Sequence, residues 1–444
     1  MNYREALDYL DRRTRFEGTR HGAAPPKMPT AGATEGLDLH AITDLMRVLG
    51  DPHTAYRTIH ITGTNGKGST ARFASALLKA TGLSVGTYTS PNIERINERL
   101  VWDGNYITDA DFARVIGLIA DVEHLLETNP GRFEILTAAA FVWFAELGVE
   151  AAVIEVGLLG RFDATNVIDA DVAVITNIGK DHTDGEANWE QAVAREKAGI
   201  IKPDGRVVLG SVFGDLREIV EAEQPDLEIW EFDHDFFVDR NEVAVGGRVA
   251  DIRTTFANYE DLYIPFHGSH QAQNVATALA AVEAFFGRSL DRDLVDEAIA
   301  SVELPGRFEV VSRSPMVILD GAHNPHGATA AQETLATEFA RLGSWILVVG
   351  FLVGKDPVEM LDALGAPDFD AVIICQPTWS RAQDAYEVAK AARTIGIEAE
   401  VVVDPVEAFT RAKTVAGADD LILVAGSLYV VGEIRPAARA TEFD

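Results

Sequence analysis

Positions 59 to 70 read IHITGTNGKGST: a β-branched run, a glycine-rich turn with a single lysine, and a start of helical character. Between a strand and a helix, such a turn lets backbone N–H groups and the helix N-terminus face an anion, while Lys67 reaches the β- and γ-phosphates of a nucleotide. Gly63, Gly66 and Gly68 would allow the backbone that close approach. The spacing departs from the ordinary phosphate loop, because only two residues separate Gly63 from Gly66 and Gly68, not Ser or Thr, follows Lys67. Read alone, the segment is also compatible with a plain turn. Three later segments add to it. YTSPNIERINERL places Ser90 after the next strand, EVGLLGRFDATN places Glu155 after a third, and TNIGKDHTD places His182 after a fourth. A hydroxyl, a carboxylate and an imidazole delivered from three strand ends could hold hard cations beside a triphosphate. Singly, each has a plainer alternative: a capping serine, a surface-paired acid, a capping or core histidine. By spacing alone, Lys197 of AREKAGIIK reads as a solvated helix lysine paired with Glu196 or Glu190.

Bringing strand ends together in this way requires a mainly parallel sheet with helices on both faces. The chain supplies the alternation: TIHITG, SVGTYTS, AAVIEVG, VAVITNIG and RVVLG are each followed by a polar or helical stretch. Between 232 and 266 the pattern changes to strand-like pieces that read as a hairpin-rich patch, followed by the helical HQAQNVATALAAVEAFF. ELPGRFE at 303 to 309 carries a Pro-Gly break, and the expected domain boundary lies there, giving domains 1–303 and 304–444. Beyond it, MVILDGAHN, SWILVVG, AVIIC, AEVVV and LILVAGS form a second alternating series, the pattern of a smaller α/β domain.

The bulk numbers agree with that division. At roughly 100 to 200 residues per domain, 444 residues make two or three domains. A composition 47% hydrophobic and 24% charged is ordinary for a globular protein. No apolar run approaches the ~20 residues of a bilayer span, and the charged, amphipathic MNYREALDYLDRR is no signal peptide, so the expectation is a cytosolic protein. The net charge of −31 repels nucleic acid and anionic membranes. One cysteine, Cys375 in AVIICQP, excludes a disulfide framework and reads as a buried strand residue.

Taken together, GTNGKGS, SPNIERINERL, FEILTAAAF, EVGLLGRFDATN, TNIGKDHT, AREKAGIIK, HQAQN, LPGRFE, DGAHNP and AGSLYVVGEIR resemble, in this order, the Mur ligase superfamily and within it the folylpolyglutamate synthase and dihydrofolate synthase family. The resemblance implies an N-terminal P-loop ATPase domain with a mainly parallel sheet and a smaller, Rossmann-like C-terminal α/β domain. It implies ATP on Gly63, Thr64, Asn65, Gly66, Lys67, Gly68 and Ser69, with Asn274 towards the adenine, Arg307 reaching from the linker, and Asp320 and His323 from the second domain. Two magnesium ions are implied, one at Ser90 and Glu155, the other at His182 and a carbamoylated Lys197. Lys67, Lys197 and His182 are then the catalytic group, and Phe133, Asp163 and Ala164 face a pterin. Leu159 stands where the family usually has a second glycine, and DHTDGEANWEQA differs from the usual segment. GLDLHAI at 36 to 42 matches too weakly to assign residues.

The implied activity is ATP-dependent amide synthesis, joining L-glutamate to dihydropteroate or to folates in a monomeric enzyme of both activities. A carboxylate becomes an acceptor once phosphorylated, and the amine of glutamate then displaces phosphate. Positioning and charge neutralisation suffice, and no protein nucleophile is required. Another Mur-type amide ligase is the nearest alternative, and an ATP-driven switch without ligase chemistry a more distant one.

Overall fold

The fold is given by a computed structural model that describes residues 1–14, 28–34, 37–181, 187–211, 215–224 and 226–440. It is a mixed α/β structure. The first sheet contains β1 (Arg57–Thr62), β2 (Val85–Tyr88), β3 (Leu100–Trp102), β4 (Asn105–Tyr106), β5 (Ala151–Glu155), β6 (Val172–Asn177), β7 (Arg206–Ser211) and β8 (Ile229–Glu231). Their order is β4-β3-β2-β5-β1-β6-β7-β8, with β2, β5, β1, β6, β7 and β8 parallel and β3 and β4 added as antiparallel pairs at one edge. Parallel strands covered on both faces need continuous apolar runs, and Thr58 to Thr62 of β1 and all of β5 are buried. One face is covered by the helices Lys67–Ala80 and His270–Phe286, whose Phe73, Leu77, Val275 and Leu279 join Ile59, Ile61 and Val153 in one core. The other carries the helix Arg132–Leu147. Ten consecutive buried residues, Ile135 to Phe144, make that helix apolar all round, and Gly148 ends it with φ 64°.

The segment read as hairpin-rich is an antiparallel meander of β9 (Phe237–Ala244), β10 (Gly247–Arg253) and β11 (Asn258–Ile264). The second large sheet holds β12 (Glu309–Arg313), β13 (Met316–Leu319), β14 (Trp345–Val349), β15 (Ala371–Ile374), β16 (Glu400–Val401) and β17 (Leu421–Ala425), in the order β12-β13-β17-β14-β15-β16. Only β12 is antiparallel to its neighbour. Cys375 follows β15 and is buried, which pushes its thiol up and away from thiolate chemistry. Among the described residues no helix is long and apolar enough to cross a membrane.

Polar contacts join the two halves. Lys355 pairs with Asp181 at 2.6 Å and Lys180 with Glu359 at 2.8 Å, and Arg435 bridges Glu309 and Glu94. A further link is Glu338, at the end of the helix Pro325–Glu338, with 1% of its side chain exposed. It meets Arg248 of β10, accepts from His267 at 2.8 Å and accepts the Gly268 N–H at 3.0 Å. Burial pushes its carboxyl up, but the His267 and Gly268 hydrogen bonds and the Arg248 charge together outweigh it and hold the group below the ordinary 4.5. Its contribution to stability is therefore complete above pH 4.5 and is lost as pH falls through the lower folded-state value. Glu338→Ala leaves the Arg248 charge buried without a counter-ion, for an expected loss of about 3–5 kcal/mol. Urea unfolding free energies at pH 7 measure it, and a variant within about 1 kcal/mol of the parent would refute the clamp.

Candidate active site

The C-terminal ends of β1, β2, β5 and β6 open into one cleft of about 900 Å³, walled on the far side by the second domain. After β1, Gly63 takes φ 148° and packs so closely that a Cβ would lie 1.8 Å from Thr176 Oγ1. Gly66 takes φ 81°, and a Cβ there would lie 2.4 Å from Asn274 Oδ1. Gly63 requires glycine by both backbone conformation and space, and Gly66 by its backbone conformation. Thr64 and Asn65 turn their N–H groups onto Asn177 Oδ1, at 3.1 and 2.9 Å. The anion-facing donors are thus the first-turn N–H groups near Gly66 to Ser69, which begin the helix Lys67–Ala80 and lack intrahelical partners.

Lys67 Nζ donates to the carbonyls of Gly63 and Thr64, at 2.9 and 3.2 Å. Burial lowers its pKa, and the nearby Glu155 carboxylate opposes that shift. Glu155 ends β5 and is buried; its Oε2 accepts the Ser90 N–H at 2.9 Å, and Oε1 has no partner among the described residues. Burial raises the carboxyl, against the charge of Lys67. Glu155 is therefore no surface acid, and Ser90 lies beside it instead of capping a helix.

Lys197 also departs from its reading by spacing. In the helix Trp189–Ala198 the buried stripe is Val193, Ala194, Lys197 and Ala198, so Lys197 lies on the apolar side. It is 5% exposed, its Nζ donates to the Gly63 carbonyl at 2.8 Å, and it forms no ion pair with Glu190 or Glu196. Two amines, Lys67 and Lys197, share one carbonyl oxygen. Burial, with the Lys67 charge adding to it, holds Lys197 well below the ordinary lysine value.

Phe133 and Asp163 both line the cleft on the β5 side, where Gly157 gives way to the Phe133 ring. Leu159 adopts φ 57°, the left-handed region in which a leucine costs about 1–2 kcal/mol. Its side chain is 6% exposed, and burial of about 1.5–3 kcal/mol offsets that cost. From the second domain, Asp320 accepts the N–H groups of Phe308 and Ala322, both at 2.8 Å, and so fixes the linker that carries Arg307. Burial raises its carboxyl, opposed by Arg307. The Arg307 guanidinium makes no hydrogen bond or ion pair among the described residues and lines the cleft.

Of the residues singled out in the sequence, all line this cleft except Gly63, Lys197 and His182. Gly63 and Lys197 lie behind the loop, and His182 falls outside the described residues. Asn177, Asp181 and Asn324 lie inside motifs quoted from the sequence and His326 just beyond one, yet none was singled out by its residue type. Asn324 Nδ2 donates to Asn65 Oδ1 at 2.9 Å and His326 Nδ1 lies 3.2 Å from Asn65 Nδ2, so the second domain touches the loop directly. Lys355, in GFLVGKDP, carried no signal beyond a glycine beside a lysine.

The donor set fits a nucleotide with divalent metal. Glu155 offers a free, buried carboxylate oxygen opposite Gly68, which has no side chain to fill the space, while Lys67 and Arg307 supply cationic charge. Among the described residues no three His, Cys, Asp or Glu converge, so phosphate oxygens and water would have to complete a metal's shell.

Residues 61–282 match the Mur ligase middle domain and residues 306–428 the Mur ligase, glutamate ligase domain. A dihydrofolate synthase/folylpolyglutamate synthase of Mycobacterium tuberculosis is 40% identical over 379 residues, covering 80% of this chain and 77% of the relative. A probable bifunctional folylpolyglutamate synthase/dihydropteroate synthase of Haloferax volcanii is 34% identical over 98% of this chain, which spans only 50% of that relative's length. Among solved structures, Mycobacterium tuberculosis folylpolyglutamate synthase complexed with ADP gives a TM-score of 0.89 at 35% identity, covering 98% of both chains. A bifunctional folylpolyglutamate synthase/dihydrofolate synthase with Mn, AMPPNP and L-glutamate bound gives 0.84 at 28% identity, again over 98% of both.

Proposed function

The chain belongs to the dihydrofolate synthase/folylpolyglutamate synthase family of Mur ligases, and on that premise we propose residue roles for its ATP-dependent addition of L-glutamate to dihydropteroate, folyl (poly)glutamates or both. The observation that carries this assignment is the convergence, in one cleft, of the loop ending in Lys67, the Glu155 carboxylate, and Arg307 with Asp320 from the second domain.

The first-turn N–H groups and Lys67 hold the polyphosphate, and Asn274 stands towards the base. Phe133, Asp163 and Ala164 orient the acceptor so that its carboxylate attacks the γ-phosphorus and ADP departs, leaving an acyl phosphate. Lys67 and Arg307 neutralise the charge that develops. His323, 3.7 Å from Asp181 on the second-domain wall, reaches the nucleotide together with Asp320. The amine of glutamate then adds to the acyl carbon and phosphate leaves. When bound, magnesium supplies charge neutralisation at the phosphates; Ser90 and Glu155 suit one ion, and His182 with a carbamoylated Lys197 a second. We further propose that one site serves both dihydropteroate and folates in a monomer.

The test is product formation. Purified protein with Mg-ATP and L-glutamate is expected to release ADP and form the γ-glutamyl or pteroyl amide with dihydropteroate and with tetrahydrofolate separately. ADP release driven by a UDP-linked sugar and not by a pterin would instead favour another Mur-type ligase.

A further inference from the structure

Below the cleft, β1 reaches sideways into the loop that follows β5. His60 is fully buried, with Nε2 2.8 Å from Thr165 Oγ1, and Thr165 Oγ1 lies 2.5 Å from Asp163 Oδ1. Two residues further along β1, Thr62 Oγ1 donates to the Leu159 carbonyl at 2.6 Å. Asp163 completes the frame, its Oδ1 accepting the Thr165 N–H at 3.0 Å and its Oδ2 the Leu158 N–H at 2.8 Å.

Counting donors orients the chain of hydrogen bonds. Burial raises the Asp163 carboxyl, while the Thr165 hydroxyl and the Thr165 and Leu158 N–H groups oppose that shift by bonding its ionised form. With the carboxyl ionised, the single hydroxyl proton of Thr165 points at Asp163 and the contact to His60 is donated by the imidazole Nε2–H. Nδ1 is left bare, in keeping with its having no hydrogen-bond partner. Burial, with Lys202 nearby, pushes the imidazole down to about 3, so it stays neutral, with one donor nitrogen.

We propose that His60 is a positioning residue for the acceptor substrate: through Thr165 it fixes the Asp163 carboxylate and the turn at 158–163. The strand that carries the phosphate loop thereby also sets the shape of the acceptor pocket, and its length from His60 to Gly63 ties the two substrates to one rigid element. This deepens the reading above and rests on Asp163 facing the acceptor.

Steady-state kinetics of the full chain with dihydropteroate or tetrahydrofolate test it. His60→Leu is expected to raise KM for the acceptor at least tenfold while KM for ATP changes less than threefold. His60→Gln, whose amide nitrogen can donate from the place of Nε2, should restore most of that loss. Thr165→Val, which removes only the hydroxyl, should reproduce the leucine variant and Thr165→Ser should not, which keeps the proposal testable if His60→Leu fails to fold. Asp163→Asn should raise the acceptor KM and add little to His60→Leu in the double variant. If Asp163→Asn raises the acceptor KM but His60→Leu and Thr165→Val leave it within twofold, the positioning role is wrong and the pocket assignment stands. If none of the three moves it, both are wrong. Equal rises in the KM of ATP and acceptor would also overturn the proposal, by showing a general loss of structure.

Discussion

Lys67→Ala is expected to lower the ligation rate by about 10²–10³-fold or more, the loss typical when one preorganised charge is removed from a transition state. Thermal unfolding should change little. Lys67 lies at the protein–cleft boundary with its amine on two loop carbonyls, so truncation opens no apolar cavity, and Lys197 still donates to the Gly63 oxygen. The neighbouring Glu155 loses the charge that opposes its desolvation, which also weakens it as a ligand for a cation. Rates of ADP and amide formation at saturating substrates, beside melting curves, separate the two effects. Turnover within threefold of the parent would remove Lys67 from the chemistry.

An equally large loss is expected at Lys197, with a different signature. Carbon dioxide adds only to a neutral amine: the nitrogen lone pair forms the N–C bond, one proton leaves, and a carbamate anion takes the place of the amine. Burial on the apolar face of its helix, and a second amine on the same Gly63 carbonyl, both push Lys197 towards the neutral form. Lys197→Ala should lose activity and recover part of it in acetate or formate, which can occupy the vacated volume as an anion. Lys197→Arg keeps a donor for the Gly63 carbonyl but cannot become a carboxylate, and should stay inactive. A lysine acting only as a prop for that carbonyl would give the opposite result, with an active arginine variant and no response to carboxylates. Full activity of Lys197→Arg therefore eliminates the carbamate.

What the sequence conveyed well was local. The β-branched runs of β1, β5 and β6 and the punctuation at Gly63, Gly66 and Pro305 depend on neighbours within a few positions, and the strands lie where those runs predict. Residues at strand ends were also legible, since a parallel sheet gathers them on one edge whatever the loops do. The contacts it hid join distant atoms of ordinary residues. Nothing in the types Asn177, Lys197 or His60 states that one bonds Thr64 and Asn65, another Gly63 across 134 positions, and the third Thr165 across 105. Lys197 was the instructive case: its apolar stripe is present in AVAREKAGI, but a lysine is ordinarily assigned to solvent, and burial here is set by a sheet the helix must cover.

The phosphate loop is bonded by Asn177 from one side and by Asn324 and His326 from another chain segment. It is consequently not a portable part. Grafted onto a foreign strand-helix unit, GTNGKGS would keep its glycines and lose the partners that hold Thr64 and Asn65 inward. Chimeras between relatives joined at the Pro305–Gly306 break should inherit a working loop only when both parents carry the asparagine pair of positions 65 and 324, a compatibility rule that no comparison of the separate halves would reveal.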